Sequence, residues 1–483
     1  MDLTGNAIAK TPSIPADVRP ARWVIPALEL ADLPAKQSSF WRQLGPGAVL
    51  VGLAIGSGEL ILWPRLTAQF GPGMTWAAML GVFLQLWVNI EIGRYTIATG
   101  ESVYTGFGRI SRALGIFFFG MVILTTILPA WATVSGYSLK VLLVGQDGWG
   151  APWVWTWITF GLILLLLLGP RYIYAAFERT EMLLVLIITL GLVAVVCAVA
   201  TRDTWGAVGQ GILAVGHFAP GVNSTDLFAA LVFAGIGGTG NLFLCFYLKD
   251  KGIGMGLYAP RVFNPLRERT EAEPGSGHIF PETALNLSRW RRWFRDFQAE
   301  QVLLFWLGNS FTIILFIVAS SAILYPRHLV PDGFQLAITQ ARLLSERMGS
   351  AGELLFLLVA FAALFSTQLG ILDGNARSLS DILYNCFPRT RRKSLGFWYV
   401  LIVVAWVLAG AALSLMRFSP WWMFVTSSCL GGLAMAVYCP LLIYLNHRAL
   451  PRAIRPGWVH TAMLALASLV YLSFVVTVTL QLR

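Results

Sequence analysis

The sequence predicts an all-α integral membrane protein of about eleven transmembrane helices, arranged as two inverted five-helix halves and one extra helix. Three observations carry this prediction: few charged residues, apolar blocks of membrane-crossing length, and a glycine-rich motif that recurs five spans later.

Of the 483 residues, 57% are hydrophobic and only 12% are charged. Soluble domains carry roughly 25% charged residues, so this chain has too few to cover a water-facing surface. The apolar residues come in blocks of about 20, the length that crosses a hydrocarbon core of about 30 Å. We place the spans at approximately 44–64, 75–95, 115–139, 152–169, 182–200, 226–248, 302–324, 353–373, 396–416, 421–445 and 459–481. With the N-terminus inside, 27 of the 35 Lys and Arg residues fall in cytoplasmic segments, as the positive-inside rule requires. The net charge of +11 therefore orients the protein and does not point to nucleic acid. The partners expected are the lipid bilayer, of a cell (inner) membrane, and a small solute; oligomeric state is not readable.

The chain divides into a cytoplasmic tail (1–43), a first repeat (44–200), a second repeat (226–445) and a final helix (459–481). The tail holds several prolines, lacks the apolar stretch of a secretory signal, and is expected to be loosely ordered. A long cytoplasmic loop (249–300) carries Arg289-Trp290-Arg291-Arg292-Trp293-Phe294-Arg295. That interleaving suits either a helix lying on the anionic leaflet or an ordinary positive flank. The five cysteines are scattered without a CxxC pair and read as apolar fillers. The five histidines sit in loops or at span ends and make no metal-ligand spacing, which argues against a zinc enzyme.

Span 1 contains Gly56-Ser57-Gly58-Glu59-Leu60-Ile61-Leu62, and span 6 contains Gly238-Thr239-Gly240-Asn241-Leu242-Phe243-Leu244. Both run glycine, hydroxyl, glycine, polar oxygen, leucine, apolar, leucine. Because five spans separate them, the second copy enters the membrane from the opposite side. This is the pattern of an inverted repeat with two broken helices meeting near the midplane. The alternative is a pair of unrelated small-residue packing faces.

A broken helix exposes carbonyls that favour a cation, and Ser57, Glu59, Thr239 and Asn241 add hard oxygen ligands beside them. A carboxylate in mid-span costs about 2.5–3.5 kcal/mol on insertion scales, so Glu59 needs a cavity or a partner. It contacts the solute, pairs with an Arg, or is protonated and hydrogen-bonded. Glu91 and Arg94 are spaced to pair on one helix face. Asp373, Asn375 and Arg377 close span 8 and form an inner gate or a solvated helix end. Pro129 and Pro440 are expected to kink spans 3 and 10.

Gly45-Pro46-Gly47, the two break motifs, and Glu91-Ile92-Gly93-Arg94-Tyr95 through Thr99-Gly100-Glu101 make spans 1 to 10 resemble the Nramp family of divalent-metal transporters, as a divergent member. The resemblance implies a LeuT-type 5+5 inverted-repeat fold with discontinuous helices 1 and 6, a metal site between them, and uptake into the cytoplasm. Family members place Asp-Pro-Gly-Asn where this chain has Gly56-Ser57-Gly58-Glu59, and Met-Pro-His-Asn where it has Gly238-Thr239-Gly240-Asn241. Only Asn241 is retained, Cys245 stands where a second His would fall, and the soft thioether that favours transition metals is gone. The expectation is a secondary transporter working by alternating access on a Mg- or Mn-type cation. The solute site is Gly56, Ser57, Gly58, Glu59, Gly238, Thr239, Gly240 and Asn241, with Glu59 and Asn241 as metal ligands. No cofactor is expected beyond the transported metal. The alternative solute is organic, such as an amino acid held at the half-helix N-termini. An intramembrane enzyme using Glu59 and Asp373 lacks a nucleophile or metal motif, and a sensory or structural role would show no flux.

Overall fold

The computed structural model describes residues 25–36, 39–170, 173–259, 277–331 and 335–481. Residues 1–24 of the expected tail and 260–276 of the long loop lie outside the described residues. Among those described, nine helices are long and apolar enough to cross a membrane. The remaining expected spans are the shorter Pro152–Leu168 (span 4) and the divided helix Ser224–Val232 with Leu244–Lys251 (span 6). The chain is an integral membrane protein with the inverted five-plus-five helical fold.

Span 1, Pro46–Phe70, is where sequence and structure first differ. Regular α-helix stops at Ala54 and resumes at Trp63, as the glycines predict, but the intervening Ile55–Leu62 stays wound as a π-helix. The Trp63 N–H reaches back five residues to the Gly58 carbonyl. The Gly56 N–H leaves the helix and donates to Thr367 Oγ1 at 3.0 Å. That acceptor on span 8 satisfies a donor which unwinding would otherwise have to expose.

Span 6 does open. Its first half ends at Val232, Gly237 and Gly238 adopt positive φ (68° and 57°), and a 3₁₀ turn over Gly238–Phe243 leads into the second half. Positive φ is the conformation glycine permits most readily. The loosened backbone is bonded from neighbouring helices. Gln85 of span 2 (Pro72–Thr99) donates to the Val232 carbonyl at 2.8 Å and accepts from the Gly237 N–H at 3.0 Å. Tyr438 of span 10 (Pro420–Ala449) donates to the Gly238 carbonyl at 3.0 Å, and Tyr104 donates to the Thr239 carbonyl at 3.4 Å. Pro129 interrupts span 3 (Arg112–Val144), which is helical over Arg112–Thr126 and Ala130–Val144.

One further expectation is corrected, and one open alternative is decided. Residues 25–36 of the tail are bound, not loose: Glu29–Leu30 pairs in parallel with His278–Ile279, Ile25 and Leu33 are buried, and the Leu33 N–H donates to Asn286. The Arg/Trp helix Ala284–Glu300 turns its aromatic face to protein and not to lipid. Trp290, Trp293 and Phe297 are buried, Trp293 Nε1 donates to the Pro34 carbonyl, and the Arg94 guanidinium stacks 4.3 Å over Phe294. This helix continues into span 7 (Ala284–Arg327), so its rings fill the inner face of the bundle.

Candidate functional site

A small cavity of about 20 Å³ lies where spans 1, 3, 6, 8 and 10 converge. Leu53 contributes from span 1, and Thr125, Thr126 and Trp131 from either side of the span 3 break. Span 6 supplies Phe233, Ile236, residues 237–240 and Phe243; Thr367 and Ile371 come from span 8 (Gln335–Cys386), and Ser427 and Gly431 from span 10. Five hydroxyls and three aromatic rings therefore face a space fit for about one water. The Thr125 and Thr239 hydroxyls are hydrogen-bonded at 3.0 Å, joining span 3 to the opened turn of span 6. Trp131 and Phe233 meet edge to face at 5.9 Å, and Trp131 packs on Phe424 at 5.4 Å, forming the wall away from the N-terminal side.

The lining residues include the predicted Gly238, Thr239 and Gly240, but not Gly56, Gly58, Glu59 or Asn241. The Ser57 side chain lies outside the described residues. Gly58 instead lies against the end of the first half of span 6: a Cβ added there would stand 1.5 Å from the Phe233 carbonyl oxygen. Gly56 is pressed against Thr367. Glu59 is fully buried and neither carboxylate oxygen has a hydrogen-bond partner. Asn241 points to span 2, donating to Asn89 Oδ1 at 2.9 Å, while its own Oδ1 is buried and unbonded. The structure thus packs the first motif, through Gly58, on the end of the first half of span 6; of the predicted polar side chains Thr239 lines the cavity, whereas Glu59 and Asn241 do not. Among the described residues no group of three or more His, Cys, Asp or Glu side chains is placed to hold a metal ion.

The three residues assigned to the end of span 8 sit well inside a helix that runs on to Cys386. They are buried, which removes the solvated-end alternative. Arg377 Nε donates to Asp373 at 2.7 Å, Tyr399 donates to the other Asp373 oxygen at 2.7 Å, and Arg377 also pairs with Asp250 at the end of span 6. Asn375 donates to the Thr126 hydroxyl at 3.0 Å, directly behind the cavity. Lys249 stands 3.7 Å from Asp381, and Lys251 stands 2.5 Å from Glu178 on span 5 (Ile173–Val199). The second half of span 6 is therefore pinned to spans 5 and 8 by three ion pairs on the N-terminal side. The Glu91–Arg94 pair forms as predicted, at 2.9 Å, joined by His460 of span 11 (Trp458–Leu480).

Sequence reasoning missed Thr125, Thr126, Trp131, Thr367 and Ser427 as cavity residues, and Gln85 as the side chain that bridges the break. The usable signal was hydroxyl pairs in apolar spans: Thr125-Thr126 stands just before Pro129, where a helix that breaks turns side chains inward.

No family model and no curated protein matches the chain. Solved structures do match in fold. The Eremococcus coleocola manganese transporter superposes with a TM-score of 0.65 and 15% identity, over 94% of this chain and 90% of that one. MhsT in complex with L-phenylalanine gives 0.53 and 15%, over 92% and 99%. MHP1, a nucleobase-cation-symport-1 family transporter solved with bromovinylhydantoin bound, gives 0.51 and 12%, over 95% and 94%. At these identities the likeness is one of fold, and the fold is the one the sequence resemblance implied.

Proposed function

We propose that the chain is a secondary transporter that moves a small organic solute, uncharged or zwitterionic, by alternating access through the cavity between spans 1, 3, 6, 8 and 10. The observation that carries this reading is the cavity wall: five hydroxyls, opened backbone and three aromatic rings, with no charged side chain. Organic-solute pockets are mostly apolar with a few placed polar groups, whereas an unhydrated divalent ion needs anionic ligands. The 3₁₀ turn at Gly238–Phe243 begins the second half of span 6 at the cavity, where backbone N–H groups suit a carboxylate. At about 20 Å³ the cavity is collapsed, so binding must part Trp131 and Phe233 from the rest of the wall.

A divalent cation is the second reading. It is favoured by the buried, unbonded oxygens of Glu59 and Asn241, and the fold it shares with a manganese transporter is consistent with it. Neither residue lines the cavity, which is why we rank it second. Flux into proteoliposomes separates them. The expected result is uptake of one or more neutral amino acids or similarly sized zwitterions, abolished by Thr239→Val and Thr125→Val. Uptake of Mn²⁺ or Mg²⁺ that Glu59→Gln abolishes, with no organic solute carried, would overturn the proposal.

A further inference from the structure

A second cavity, of about 300 Å³ against about 20 Å³ for the solute cavity, lies between spans 3, 4, 9 (Leu395–Ser414) and 10. Span 4 begins and span 9 ends at its wall, which places it on the side away from the N-terminal tail. Trp149, Trp157 and Trp422 are exposed around the same helix ends, as in the aromatic girdle of a membrane–water interface. The cavity therefore sits at interfacial depth.

Its wall is apolar except at one point. Pro129, Trp153, Leu413, Phe418 and Met423 supply carbon surface. The two hydroxyls are committed within the protein. Thr133 donates to the Pro129 carbonyl at 2.6 Å, and Ser414 donates to the Ala411 carbonyl at 2.7 Å while accepting from Trp157 Nε1 at 3.2 Å. Arg417 is the exception. No acidic residue lines the cavity, and among the described residues the guanidinium has no ion pair. Its backbone is left-handed (φ 53°), a conformation rare for a residue with a Cβ, where the short link between spans 9 and 10 turns. The first turn of span 4, which ends in the same wall, has neither a side-chain cap nor an acidic residue, so its positive end adds to the field of Arg417.

An unpaired guanidinium beside apolar surface is matched by a ligand with one negative head and an apolar body. A short-chain carboxylate from solution and an anionic phospholipid from the bilayer both offer that chemistry. The volume is at the lower end for drug-sized ligands, which selects one short chain over the paired chains of a phospholipid. We propose that this cavity binds a single-chain organic anion, with its head on Arg417 and its chain between Pro129, Trp153 and Met423. The site is separate from the solute cavity, whose wall holds the adjacent Trp131 packed on Phe424 at 5.4 Å. It stands without the transport reading.

The test is thermal unfolding of the full chain in an uncharged maltoside detergent at constant ionic strength, titrated with sodium octanoate, 1-octanol or phosphatidylglycerol. Octanoate should raise Tm saturably and 1-octanol should not. Arg417→Gln, on an exposed link, should weaken the octanoate midpoint by roughly tenfold or more. Ala151→Leu, which fills the cavity from span 4 with Arg417 intact, should abolish the response. Thr239→Val, in the solute cavity, should keep it. The proposal is overturned if octanoate has no effect, if 1-octanol matches it, or if only phosphatidylglycerol stabilises. It is equally overturned if Arg417→Gln or Ala151→Leu responds as wild type, or if Thr239→Val loses the response.

Discussion

Replacing Gly58 with alanine adds one methyl group where the backbone of span 1 lies against that of span 6. The new carbon would stand 1.5 Å from the Phe233 carbonyl oxygen and 2.4 Å from its carbon. Ordinary contact begins at 3.4 Å, so the backbones of spans 1 and 6 must separate by about 2 Å. Neither side can yield by a rotamer change, because both are backbone. Overpacking a well-filled core costs about 1–3 kcal/mol when side chains can adjust, and this site sits at or above the upper end. Separation also moves Phe233 away from Trp131, so the cavity wall should open even without solute. The assay pairs thermal unfolding in detergent with uptake in proteoliposomes. Gly58→Ala should lower Tm and abolish uptake. Gly161→Ala, where an added Cβ meets nothing within 4 Å, should leave both unchanged or gain up to about 1 kcal/mol from helix propensity. Wild-type stability and uptake in Gly58→Ala would refute the close approach, and with it the packing of span 1 on the end of the first half of span 6.

Three further outcomes follow from named contacts. Arg377→Met leaves Asp373 and Asp250 facing each other without their cation; it should cost about 3–5 kcal/mol by thermal unfolding, and adding Asp373→Asn and Asp250→Asn should recover part of the loss. Thr367→Val removes the acceptor of the Gly56 N–H and should destabilise by about 1–3 kcal/mol, whereas Thr367→Ser should be close to wild type by the same measurement. Asn286→Ala breaks its bonds to Leu33, Asp32 and Pro281; limited proteolysis should then release residues before 36 faster, with uptake kinetics reporting whether that segment restrains the inner side.

The large features of the fold were legible because they rest on local composition. Block length gave the spans, and the recurrence of Gly-hydroxyl-Gly-polar gave the inverted pairing. The opening of span 6 was legible too, since consecutive glycines at 237 and 238 are what a positive-φ turn requires. What was not legible depends on partners remote in sequence. Asp373 and Arg377 read as a span end because two charges look wet, and only Asp250, 127 residues from Arg377, and Tyr399 make them a buried unit. The Arg/Trp cluster of Ala284–Glu300 left a leaflet-lying helix and an ordinary positive flank both open, because the sequence does not reveal that Trp293 bonds to Pro34 and that Arg94 covers Phe294. Glu59 drew attention as a costly acid in mid-span and is fully buried, but the π-helical winding that sets its side of the helix cannot be seen in the sequence.

That winding bears on how the two halves divide their work. Both motifs contain glycines able to break a helix, yet only the second opens. The difference lies in what each loosened backbone is offered. Span 1 is offered one side chain, the Thr367 hydroxyl, which takes the Gly56 N–H and donates back toward the Leu53 carbonyl at 3.1 Å. One redirected donor is enough for a π-helix and too little for a gap. Span 6 is offered the Gln85 amide and the Tyr438 and Tyr104 hydroxyls, which together satisfy one N–H and three carbonyls across the turn. These donors come from span 2, span 10 and the helix Val103–Ile110 after span 2, so the open turn is held by elements on several sides. At its wound stretch span 1 is tied through one hydroxyl to span 8. Span 1 is thus one hydrogen bond away from regular winding, and an element that close to a second geometry is the one whose balance solute binding can shift.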